Sequence, residues 1–181
     1  MMTPQTVLTF WFEEIDEADH FKTNPTVDEA IKERFSDAHT AAAAGELANW
    51  ADTPEGTLAL IIVLDQFSRN LFRGDGRSFA YDDLALTLAE AAIEKGFDMH
   101  FEPDQRLFIY LPFMHSESRE VHARAVPLFE SLGLESSLKY EHIHKDIIDR
   151  FGRYPHRNEV LGRESTAEEL EYLANNQESF F

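Results

Sequence analysis

Between residues 146 and 158 the chain reads DIIDRFGRYPHRN, which places Arg150, Arg153, His156 and Arg157 within eight positions of a strongly acidic protein. Guanidinium groups grip carboxylate or phosphate through two parallel hydrogen bonds, and an imidazole beside them can move a proton. A helix C-terminus stabilises a nearby cation by about 0.3–1 kcal/mol, enough for one or two arginines but not for four basic groups. Immobilising each arginine costs up to about 2 kcal/mol of rotamer entropy, so the stretch implies carboxylate partners or a bound anion. Internal partners are at hand, because Asp146 stands one helical turn before Arg150, and Asp149 precedes Arg153 by a similar spacing. Asn158 follows on a path that Tyr154-Pro155 stiffens.

Two further clusters carry the same kinds of side chain. In LDQFSRNLFRGDGR (64–77), Asp65, Arg69 and Arg73 fall at i, i+4 and i+8, while Gln66, Asn70 and Arg73 share a neighbouring strip. The plain explanation is a helix-surface ion pair worth about 0.3–0.5 kcal/mol. In YLPFMHSESREVH (110–122), His115, Arg119 and His122 share one face, and Glu117 follows a proline-interrupted helix. His115 with Glu117 or Asp65 could form a base and its orienting carboxylate, or His115 and Glu117 could ligate a metal; the plain alternative is a pair of cap residues. His142 and His144 diverge on a helix and cannot share one ion there, so neither a metal nor a cofactor is expected.

Composition narrows the classes. With 34 acidic and 16 basic residues the formal charge is −18, which repels nucleic acid and anionic lipid at long range. Eleven of the basic residues are Arg, and seven of those lie within 69–77 and 150–163, so the cationic groups are concentrated. There is no cysteine, which excludes disulfides and thiolate chemistry. The longest apolar run, LALIIVL (58–64), is far short of the roughly 20 residues that cross a bilayer. The start, MMTPQTVLTFWFEE, does not read as a signal peptide, so a cytoplasmic protein is expected.

The elements that must position these groups are helices. Thr3-Pro4, Asn24-Pro25 and Thr53-Pro54 each set a capping side chain before a proline suited to a first helical turn. Gly45, Gly96, Gly133 and Gly152 stand where left-handed residues close helices. Between these marks the apolar spacing is helical: Val27, Ile31, Phe35 and Ala38, then Leu60, Leu64, Phe67 and Leu71, then Leu84, Leu88 and Ala91. Pro112 predicts two helical pieces within 104–117, Thr166 to Glu169 predicts a capping box, and 175–181 reads as a frayed tail. Seven or eight helices with short connections predict an all-α fold of antiparallel helix pairs, as one domain over 1–181.

The segments LDQFSRNLFRG (64–74), YLPFMHSE (110–117) and HKDIIDRFGRYPHRNEVLGRESTAEE (144–169), following VLTFWF (7–12), resemble the bacterial domain of unknown function 924. The resemblance implies a tetratricopeptide-like helical fold, either an α-α superhelix or a compact array, and no defined activity. Its shared polar positions here include Asp65, Gln66, Arg69, Asn70, Arg73, His115, Ser116, Glu117, Arg150, Arg153, His156, Arg157, Asn158 and Arg163. A polar signature of this kind implies a pocket rather than a bare scaffold. The expected site binds a small anionic ligand, phosphate or carboxylate, through Asp65, Arg69, Asn70, Arg73, Arg150, Arg153, Arg157 and Asn158, with His115, Glu117 and His156 as candidates for proton transfer. The competing expectation is a protein-interaction module that clamps a peptide carboxylate.

Overall fold

Each of the three X-Pro pairs opens a helix as its chemistry dictates. In the computed structural model, which describes residues 2–176, the Thr3 side chain caps α1 (Pro4–Thr9), Asn24 caps α2 (Pro25–Ala43) and Thr53 caps α3 (Pro54–Ile61). A π-helical segment, Phe10–Glu14, extends α1, and a second, Ile62–Phe67, joins α3 to α4 (Ser68–Leu71) in one continuous run. Then follow α5 (Asp82–Glu94), α6 (Pro103–Met114), α7 (Arg119–Leu132), α8 (Glu135–Phe151) and α9 (Ala167–Asn175), with short 3-10 turns between several of them. The described residues contain no strand, and the fold is all-α. Residues 177–181, most of the expected tail, lie outside the described residues.

The α3 run is the spine. It packs against α1, α5 and α6, and every residue from Gly56 to Phe67 is buried. Phe35 of α2 and Phe67 of the spine meet at a tilt with centroids 5.0 Å apart, and Phe10 and Trp11 close edge-on against the Phe67 ring. Each fully buried aromatic contributes about 1.5–3 kcal/mol by leaving water. Gly56 lets the preceding 3-10 turn, Ala48–Asp52, lie directly on α3: a Cβ there would stand 2.0 Å from the Trp50 carbonyl oxygen. The helices α6, α7 and α8 pack in succession through the connections 115–118 and 133–134.

Pro112 does not break its helix. It lies inside α6, two residues before the end at Met114, where the lost amide removes one late ladder bond; the break comes instead at 115–118. Gly152 ends α8 in the left-handed region, φ 70°, and redirects the chain into the Pro155–Arg157 turn on which α9 docks. The Thr166 to Glu169 capping box forms as its spacing predicts. No helix of the described residues is long and apolar enough to cross a membrane.

Candidate functional site

The π-helical stretch of the spine carries Asp65 to a fully buried position facing the end of α6. There Asp65 Oδ1 lies 2.6 Å from His115 Nδ1, while Gln66 Nε2 donates to Oδ2 at 2.6 Å and Arg69 Nη1 lies 3.1 Å from Oδ1. Burial alone would raise the Asp65 carboxyl, but Arg69 and His115 outweigh it and hold it well below the usual carboxylate range. An ionised Asp65 can only accept, so the proton of this contact sits on His115 Nδ1. Burial, with the Arg69 charge behind it, lowers the His115 pKa against the opposing pull of Asp65. The ring is therefore neutral near pH 7, and its Nε2 carries a lone pair. That nitrogen has no partner among the described residues.

His115 forms part of the wall of a cleft of about 230 Å³, together with Phe79, Asp82, Asp83, Pro112, Ser116, Glu117 and Arg157. The Arg157 guanidinium lies between the rings of Phe79 and Tyr154, at 4.3 and 4.6 Å from their centroids. Arg157 is 6% exposed; it donates to the His115 carbonyl at 3.0 Å and approaches Asp82 at 3.4 Å. Its Nε is buried without a hydrogen-bond partner among the described residues. Asp82 is meanwhile held by Arg69 in a two-pronged contact at 2.9 and 3.0 Å, so Arg157 takes second place on that carboxylate.

Three buried donors fix the peptide on either side of the His115 ring. Tyr154 Oη donates to the Met114 carbonyl, Arg157 Nη2 to the His115 carbonyl, and His122 Nε2 lies 2.8 Å from the Ser116 carbonyl. The end of α6 would otherwise leave these carbonyls without ladder partners. His122 in turn pairs with Glu141 at 2.7 Å, both fully buried between α7 and α8. Glu117 accepts from the Tyr154 amide at 2.7 Å and from Arg163 at 2.7 and 2.9 Å, which ties the turn after α8 to the turn after α6. Burial works against the Glu117 charge, but these donors dominate and lower its pKa.

The structure thus brings Asp65, Arg69, His115, Glu117 and Arg157 to one cleft or its immediate wall. The other expected residues are placed elsewhere. Arg73 and Asn70 both hold Asp28 of α2, at 2.9 and 2.8 Å. Arg150 pairs with Glu168, and Arg153 with Glu169, rather than with Asp146 and Asp149; Lys145 takes Asp149. Asn158 bridges Ser165, Glu169 and Arg163. His156 stands beside Tyr154, outside the cleft lining, with burial and then the Arg157 charge pushing its pKa down to about 3. His115 takes Asp65, not Glu117, as its orienting carboxylate.

Five participants were not singled out as site residues from the sequence: Asp82, Asp83, Tyr154, Glu141 and Arg163. Tyr154 read only as a stiff residue before proline, and no spacing rule marked Asp82, Asp83 or Glu141. Only Arg163 carried a signal, as a position shared with the family, and it is the clamp on Glu117.

A solved structure of a protein of unknown function from Agrobacterium tumefaciens superposes with a TM-score of 0.91 at 41% identity, over 96% of this chain and 97% of that one. A protein of Pseudomonas phage Pf3, provisionally named for assembly, is 29% identical over 115 residues, or 63% of this chain and 35% of its own length. The chain thus matches about a third of that phage protein. Residues 7–177 match the family described as bacterial protein of unknown function, DUF924, and the chain belongs to that family.

Proposed function

We propose that the cleft beside His115 binds a small molecule bearing a carboxylate or phosphate, with Arg157 as the anion's donor and His115 Nε2 as a proton acceptor beside it. The observation that carries this reading is the Asp65–His115 contact, which fixes the ring proton on Nδ1 and leaves Nε2 open at a cleft wall. An oriented histidine of this kind is the usual arrangement of a general base. Stacking on Phe79 and Tyr154 keeps the Arg157 fork flat and fixed, which lowers the entropy lost when an anion docks. The size of the cleft, about 230 Å³, favours a small molecule over the extended peptide that a tetratricopeptide-like interaction module would clamp.

The test is calorimetric titration at low ionic strength with acetate, hexanoate, inorganic phosphate and a phosphate monoester. Saturable binding is expected for at least one of them, and Arg157→Lys, which keeps the charge and loses the fork, should weaken it about tenfold, the equivalent of one charge-assisted hydrogen bond. Absence of saturable binding across the series, or binding indifferent to Arg157→Lys, refutes the reading.

A further inference from the structure

The charges around the cleft say more about the ligand than that it is anionic. Resting on the reading above, we infer that the ligand also carries a cationic amine, and that Asp83 is the amine's partner. The cleft is lined by Asp82, Asp83 and Glu117 against the single cation Arg157. Two of these carboxylates are already committed. Arg69 holds both oxygens of Asp82, and Arg163 holds both oxygens of Glu117. The Asp83 side chain is exposed and makes no hydrogen bond or ion pair among the described residues, although it lines the same cleft as His115 and Arg157.

With the paired Arg69 and Arg163 included, and Asp65 behind His115, the cleft and its wall hold three cations and four carboxylates around a neutral imidazole. A simple anion drawn in by Arg157 is opposed by these carboxylates and by the formal charge of −18 on the chain. A zwitterion answers both features: its acidic group reaches Arg157, and its amine reaches the uncommitted carboxylate. Asp83 sits in the first turn of α5, where the helix dipole favours a negative side chain. Aliphatic carbon between the two charges would lie along Leu86, Pro112 and Leu161.

The experiment compares glycine, 4-aminobutanoate and 6-aminohexanoate with the amine-free acids and the acid-free amines of the same chain lengths, by calorimetric titration of the full chain at low salt. At least one amino acid should bind about fivefold tighter than both of its counterparts, the equivalent of about 1 kcal/mol for a partly exposed ion pair. Asp83→Asn, at an exposed position, should erase that advantage without weakening the affinity for the amine-free acid. Amine-free acids that bind as tightly as the amino acids, or an advantage that survives Asp83→Asn, overturns the inference and leaves the anion-binding reading standing. If no compound of either kind binds, both fall.

Discussion

Replacing Asp65 with asparagine isolates the charge that organises the site, because the two side chains have nearly the same shape. In the wild type, one fully buried carboxylate receives Gln66 and His115 at 2.6 Å each and Arg69 at 3.1 Å. Breaking a buried ion pair outright costs about 3–5 kcal/mol, chiefly through the charge left alone. Arg69 is not left alone, since Asp82 keeps both of its prongs at 2.9 and 3.0 Å. The loss is then that of turning charge-assisted hydrogen bonds into neutral ones, roughly 1 kcal/mol for each of two or three contacts. The introduced amide would also turn a donor toward Gln66 Nε2, and the Gln66 side chain must flip to accept it. We expect Asp65→Asn to lower stability by about 2–3 kcal/mol in urea titration, and the melting temperature by about 4–12 °C for a chain of this size. Nitrogen NMR gives the second readout. Without the Asp65 charge, which pulls the His115 pKa up, the ring should titrate at still lower pH. A variant within about 0.5 kcal/mol of wild type, with the His115 titration unmoved, would refute the assignment of Asp65 as an ionised acceptor.

Other outcomes follow from the same geometry. Tyr154→Phe removes the hydroxyl that serves the Met114 carbonyl and sits 3.1 Å from His122, and should cost about 1–3 kcal/mol in denaturant titration. Gly56→Ala should cost about 3 kcal/mol or prevent folding altogether, because backbone must move to clear the 2.0 Å contact; thermal melting checks it. Arg153 holds the Glu169 pKa down to about 2 from an ordinary 4.5, so ionised Glu169 favours the folded chain above pH 4.5 and loses that effect as pH falls toward 2. After discounting for solvent screening this is worth about 1–2 kcal/mol, and stability in Glu169→Gln should fall less steeply than wild type across that window of urea titrations. A matching slope in both would remove Glu169 from the acid response.

The helix boundaries were legible because caps are local: Thr53 and Pro54 need nothing beyond their own turn, and Gly152 needs only its own backbone. The partners of the arginines were not. Periodicity along α8 proposed Asp146 and Asp149, but α9 lays Glu168 and Glu169 against the same arginines with better geometry, and that docking depends on a turn no spacing rule encodes. The polar set of the middle motif was readable as chemistry, and Asp65 was already one of two candidates for orienting His115. What decided between them was burial: Glu117 is captured by Arg163 and the Tyr154 amide, whereas Asp65 has no solvent to turn to. The π-helical segments escaped detection because a count of 3.6 residues per turn assumes an unbroken ladder.

That irregular ladder also sets the direction of everything downstream of it. A π-helical turn is a residue too many stored inside a helix without a loop to hold it, and Ile62–Phe67 stores it just upstream of Arg69. Deleting a single residue there would leave an ordinary helix, turned by about 100° from that point on, and Arg69 would swing away from both Asp65 and Asp82. Such a deletion would keep the helical scaffold while taking apart the wall of the cleft, so the length of this one segment sets the angular register of Arg69 against the carboxylates it holds.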